Sequence, residues 1–174
     1  SEMCIRDSYK AYHMPGYDNQ LYPVCDTITD LLSAGYSSRF YRNLLMGTQL
    51  FTKADAAITG TQEPGLLLLS GHLRDGVSVE EADEALTAEA LSLVTTPPDN
   101  HEVERALNRF EANHTFGTMG YTNLAAALAM SEMRGEDINS IVARQRKVTP
   151  EAIVEAVKTI ITPENSSTLI YTPE

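Results

Sequence analysis

Residues 52–73, TKADAAITGTQEPGLLLLSGHL, decide the fold class. Thr52 to Gly60 and Gly65 to Leu73 flank a Thr-Gln-Glu-Pro-Gly connection. Proline and glycine in so short a link turn the chain back on itself, so the two runs read as antiparallel strands joined by a tight loop. The leucines Leu66 to Leu69 carry no polar alternation, which predicts a central strand covered on both faces.

Upstream of this pair, Tyr9 to Met14 alternates like a half-buried strand, and Pro15-Gly16 stops it. From Asp18 to Ala34, Leu21, Val24, Ile28, Leu31 and Leu32 recur at helical spacing, and Gly35 supplies the stop. Ser37-Ser38 then offers a cap for a second helix through Arg39, Phe40, Leu44 and Leu45, ending near Gly47.

Downstream the pattern is helical. Ser78 and Glu81 form a capping box ahead of Val79, Ala82, Leu86 and Leu93, and the opposite face carries Glu80, Glu81, Asp83, Glu84 and Glu89. Pro97-Pro98 breaks that helix, and Asp99 with Glu102 opens the next, carrying Val103, Ala106, Leu107 and Phe110 inward. Gly117 and Gly120 interrupt before an apolar stretch from Leu124 to Met133, and a short helix follows around Ile138 to Val142. Thr149-Pro150 then starts a last helix with Ile153, Val154, Val157 and Ile160. Ser167 to Tyr171 reads as a final strand. This order predicts an α+β, two-layer domain with an antiparallel sheet and helices packed on one face.

Ser1 to Ser8 fits neither period, so residues 1–8 are expected to be a scar or non-native leader and residues 9–174 the domain.

Composition narrows the function classes. The chain has 174 residues, 43% hydrophobic, enough for one domain with its own core. With 13 Lys+Arg against 24 Asp+Glu, a net charge of -11 repels a phosphate backbone and argues against nucleic acid as a partner. No run approaches the roughly 18 apolar residues of a membrane span. The two cysteines, Cys4 and Cys25, suggest neither a disulfide framework nor a metal knuckle, and they leave the compartment open between cytoplasm and periplasm.

A search for chemistry finds no G-x-S-x-G elbow, phosphate loop or H-E-x-x-H. The sharpest metal candidate is the helix holding His101, Glu104, Glu111 and His114, since Glu111-x-x-His114 has the spacing of carboxylate di-iron bundles. That motif needs a second copy and further glutamates, so a solvated surface pair is the expectation. Cys25 sits mid-helix with no histidine near it in sequence and reads as a buried, inert thiol. By spacing alone, neither a catalytic nor a metal residue is identified.

The segment Asp30 to Phe51, DLLSAGYSSRFYRNLLMGTQLF, resembles the second-domain signature of pitrilysin/insulinase-type zinc metallopeptidases, the inverted zincins. The similarity continues through Ala54 to Leu73, Gly76-Val77-Ser78, the Glu104 to Glu111 helix, Val148-Thr149-Pro150 and Pro163-Glu164-Asn165, and it is nearest to bacterial relatives of mitochondrial processing peptidase. The resemblance implies a C-terminal, non-zinc domain of an endopeptidase acting on unfolded peptides. It implies no cofactor in this chain, with zinc and the catalytic glutamate in an N-terminal domain. The implied partners are that N-terminal domain, a second half or dimer partner, and a peptide substrate.

Family members can donate an arginine and a tyrosine seven positions apart from this domain; here Leu45 and Thr52 stand at those positions, so both donors are absent. Arg42, one turn earlier, and Thr52 remain as candidate substrate-chamber residues. The alternative implied by the same resemblance is an inactive scaffold or partner subunit.

Overall fold

In the computed structural model, which describes residues 6–171, the chain forms a four-stranded antiparallel sheet under a layer of helices. The strands are β1 (Asp7–Met14), β2 (Phe51–Ile58), β3 (Gly65–Leu73) and β4 (Ser166–Tyr171), in the order β2-β3-β1-β4. Strand β1 thus lies inside the sheet and joins the β2–β3 hairpin to the last strand. It begins two residues earlier than the alternation suggests: Asp7 opposes His72 and Tyr171, and Ser8 opposes Gly71 and Ile170. Residues 1–5 of the expected leader lie outside the described residues.

The helices are α1 (Tyr22–Ser33), α2 (Val79–Thr95), α3 (Asn100–Gly117), α4 (Tyr121–Arg134), α5 (Ser140–Gln145) and α6 (Pro150–Ile160). The segment Phe40–Gly47 is a π-helix, its wide turn closed where the Thr48 N–H donates to the Asn43 carbonyl. Helix α1 starts four residues later than its periodicity suggests. The Asn19 side chain accepts from the Leu21 N–H at 2.9 Å and holds a turn there, and Pro23 then sets the first helical residues. Gly35, at φ +81°, takes the left-handed conformation that ends α1.

Three helix starts legible in sequence are made by the expected side chains. Ser78 accepts from the Glu81 N–H at 3.1 Å, Asp99 from Glu102 at 2.7 Å, and Thr149 from Ala152 at 3.2 Å. The serine expected to cap the second helix does not do so: the hydroxyl of Ser38 is buried without a partner, and a turn closed by the Ser38 N–H on the Gly35 carbonyl leads straight into helical backbone.

The expectation that the leucine run is covered on both faces is corrected. Leu67 and Leu69 are fully buried beneath the helices, with α2 against β3 and β1, and α1 against β2. Leu66 and Leu68 point to the other face and are only half-buried, screened by neighbours within the sheet. The run is apolar on both sides because β3 is an inner strand, and only one side meets a helix layer. The core lies between the layers, where Leu31, Leu32, Phe51, Leu86, Leu93, Ile153 and Val157 are fully buried; each such side chain contributes roughly 1.5–3 kcal/mol relative to exposure.

Gly71 explains one feature of the GLLLLSGHL strand. A Cβ there would stand 2.5 Å from the Phe51 ring, so the glycine lets that ring lie flat on the strand. Gly71→Ala is expected to lower stability by about 1–3 kcal/mol through overpacking, measured as the shift of the urea midpoint at unchanged slope.

Candidate functional site

The residues expected to line a substrate chamber sit on two consecutive elements. Arg42 projects from the exposed side of the π-helix and makes no side-chain hydrogen bond or ion pair among the described residues. Thr52 is exposed on β2, and its hydroxyl donates to the His72 carbonyl at 3.2 Å, so it is tied to the neighbouring strand. The register slips between Phe51 and Lys53, which places Thr52 in a bulge at the end of the sheet. Leu45 packs half-buried against the core. A hydrocarbon anchored in the interior and a short hydroxyl already engaged form no pair of charge-stabilising donors.

The metal candidates do not fit zinc. Glu111 is held by the guanidinium of Arg146, His114 stacks on Phe110 with ring centroids 6.4 Å apart, and His101 stands exposed a full helix length away. Among the described residues no three His, Cys, Asp or Glu side chains are grouped to hold a metal ion. Cys25 is fully buried and burial pushes its thiol up to about 12, so it stays protonated and unreactive; Cys4 lies outside the described residues.

Two polar constructions were not legible in sequence. Arg39, 5% exposed, reaches across to α3 and binds both carboxylate oxygens of Glu102 at 3.1 Å, while its third nitrogen donates to the Ser92 hydroxyl of α2 at 3.0 Å. This bidentate pair ties the π-helix to two helices whose sequence positions lie more than fifty residues away. The second lies where α1 meets α5. The Gln145 amide, itself buried, donates to the Pro23 carbonyl, the Thr27 hydroxyl and the Asp26 carboxylate at 3.1–3.2 Å. Burial, reinforced by Asp30 one turn on, pushes the Asp26 carboxyl up to about 6 against the Gln145 bond that lowers it.

Around the open side of the same junction, the Tyr17 ring lies between two guanidinium groups, Arg134 at 3.9 Å and Arg144 at 4.7 Å from its centroid. The Tyr17 hydroxyl donates to Glu136 at 2.7 Å, and burial followed by that bond pushes it up to about 12. Arg144 also donates to the Tyr17 and Asn19 carbonyls, which fastens α5 to the turn before α1.

Helix α4 and the open side of the sheet lie outside the helix–sheet core. Helix α4 has no charged residue from Tyr121 to Met130, and its Tyr121, Leu124, Leu128, Met130 and Met133 are all exposed, together with Phe116 and Met119 just before it. The open face of the sheet is mixed: Tyr9, Ala11, Leu66, Leu68 and Leu169 share it with Asp7, His13, Lys53, Asp55, Ser70 and His72. Apolar exposure of the extent seen on α4 is unusual for a lone domain.

The domain is an α+β layer in which, among the described residues, no His, Cys, Asp and Glu side chains are grouped to hold a metal ion. The chain belongs to the family described as the peptidase M16 inactive domain, whose profile matches residues 7–110. No curated protein sequence matches it. Its fold is that of the inactive peptidase domain of a candidate zinc protease from Bordetella parapertussis, with a TM-score of 0.88 at 20% identity over 100% of this chain and 94% of that one. A candidate zinc protease from Bordetella pertussis Tohama I superposes with a TM-score of 0.86 at 22% identity, covering 98% of this chain and 94% of that one. A protease from Helicobacter pylori gives 0.87 at 14% identity over 99% of this chain, which spans only 42% of that protein. The match beginning at residue 7 coincides with the first residue of β1.

Asp26 sets a pH dependence. Its carboxyl is raised from the ordinary 3.8 to about 6, so the stability it contributes is full below pH 4 and is lost as pH rises through 6. Asp26→Asn keeps an oxygen for Gln145 and is expected to stabilise the chain at pH 7 by about 1–3 kcal/mol and to flatten the fall in stability between pH 4 and 6, followed by thermal unfolding across that range.

Proposed function

We propose that this chain is the C-terminal structural and substrate-chamber domain of a zinc-dependent endopeptidase acting on unfolded peptides. The observation that carries the reading is the match of residues 7–110 to the inactive M16 domain. Zinc and the glutamate that activates water then belong to an N-terminal domain of the pitrilysin/insulinase type, on the same chain or on a partner. The part left to this domain is shape. Its open sheet face offers an extended peptide a mixed wall, apolar at Tyr9, Leu66, Leu68 and Leu169 and polar at Lys53, Asp55 and His72, with Arg42 and Thr52 as further chamber residues on this reading.

The exposed helix α4 suits the contact with the catalytic unit. A helix of this kind gains stability only when its apolar side chains are covered, and its own domain leaves them bare. The H. pylori protease, of which this fold spans 42%, has room in one chain for a second unit of similar size. A processing-peptidase-like arrangement of two halves around the substrate follows from the resemblance in sequence.

A second reading, an inactive scaffold subunit, is favoured by Leu45 and Thr52. The leucine packs against the core and the threonine is bound to the His72 carbonyl, so neither is free to reach a substrate carbonyl. The two readings part on activity. The purified chain is expected to show no chelator-sensitive cleavage of a quenched unfolded peptide, and the chain joined to its preceding unit is expected to show it; a joined protein that binds no zinc and cuts nothing establishes the scaffold instead. Separately, Leu124→Asp with Leu128→Asp is expected to leave the chain's own unfolding midpoint within about 0.5 kcal/mol, while weakening its association with the catalytic unit in analytical ultracentrifugation.

A further inference from the structure

The junction of α1, α4 and α5 encloses a cleft of about 280 Å³, walled by Tyr17, Tyr22, Phe110 and His114, with Asp26 at one side and Arg134 at another. Both charges face it without a partner of opposite sign. Asp26 accepts from the neutral Gln145 amide, and no lysine, arginine or histidine forms an ion pair with it among the described residues. Arg134 lies over the Tyr17 ring at 3.9 Å and forms no ion pair among those residues, whereas its neighbour Arg144 is engaged by Glu136 and two carbonyls. Tyr22 lines the same cleft, as do Arg144 and Gln145.

We propose that this cleft binds a small zwitterion, a free α-amino acid or a dipeptide, with its carboxylate on Arg134 and its ammonium on Asp26. The argument is one of charge and size. A phosphate or simple carboxylate would answer Arg134 and add a second negative charge beside Asp26, and a simple amine would do the reverse. Only a ligand carrying both signs satisfies both side chains. The volume is near the lower end of small-molecule clefts, roughly 300 Å³, which admits one or two residues of peptide and excludes a folded partner. Phe110 gives an apolar side chain a surface to rest on. The binding residues come from three separate elements, so the cleft exists only in the folded domain.

The test is a titration of the whole chain, labelled with ¹⁵N, with L-leucine, Leu-Leu, N-acetyl-leucine and leucine amide. Leucine or Leu-Leu is expected to shift the amide signals of Tyr22 and Gln145, with affinity lower by at least about tenfold for the acetylated and amidated forms, each of which removes one charge. Arg134→Gln and Asp26→Asn are each expected to weaken binding by a similar factor. The stronger of leucine and Leu-Leu distinguishes a free amino acid from a peptide as the ligand. Absence of response to both zwitterions, N-acetyl-leucine and leucine amide binding as tightly as leucine, or binding unchanged by both substitutions overturns the proposal. Because the ligand series is read on the unaltered chain, the result does not depend on either variant folding.

Discussion

The helices of this domain cover one face of a four-stranded sheet, and most of the molecule follows from that asymmetry. A strand places successive side chains on opposite faces, so each strand contributes half its residues to the core and half to the open side. Leu67, Leu69 and Tyr12 are sealed beneath α1, α2 and α6, while Leu66, Leu68 and Tyr9 are left for whatever lies opposite. The second face mixes those apolar groups with Lys53, Asp55, Ser70 and His72, and the described helices leave it open.

The helix layer is fixed in place by two polar devices that apolar packing alone would not specify. Arg39 binds Glu102 and Ser92 and so sets the π-helix against α2 and α3; Gln145 binds α1 at three points and sets the α5 segment. Buried polar groups of this kind add little net stability when fully partnered and cost a great deal when one partner is lost. Their effect is to select one arrangement of helices among several of similar apolar burial. Helix α4, which lacks any such attachment along its length, extends from the body and is fixed only at its end, where Arg134 stacks on Tyr17.

The described residues assemble no metal centre, for reasons that can be given residue by residue. Glutamate and histidine at helical spacing on α3 look like metal ligands in one dimension, yet Arg146 takes Glu111 and Phe110 takes the His114 ring. Of the two positions singled out by the resemblance, Leu45 packs on the core and Thr52 is bound to a neighbouring strand. The family to which the chain belongs is described as an inactive peptidase domain.

The sequence by itself determined the fold class, the hairpin at residues 52–73, three of the helix caps and the family, because each rests on contacts between residues close along the chain or on an ordered set of motifs. Its errors were of two kinds. Local turns at Asn19–Leu21 and Gly35–Ser38 displaced the start of α1 and the Ser38 cap, whereas the covering of the leucine run depended on what else stood nearby in space. Only the tertiary structure decided that β1 joins the first and last parts of the chain, that Arg39 meets Glu102, and that Asp26 and Arg134 face one cleft. Those pairings bridge separations of 63 residues for Arg39 and Glu102 and 119 for Asp26 and Gln145, and periodicity carries no information at such range, since it reports which face a side chain takes and never what it will meet there.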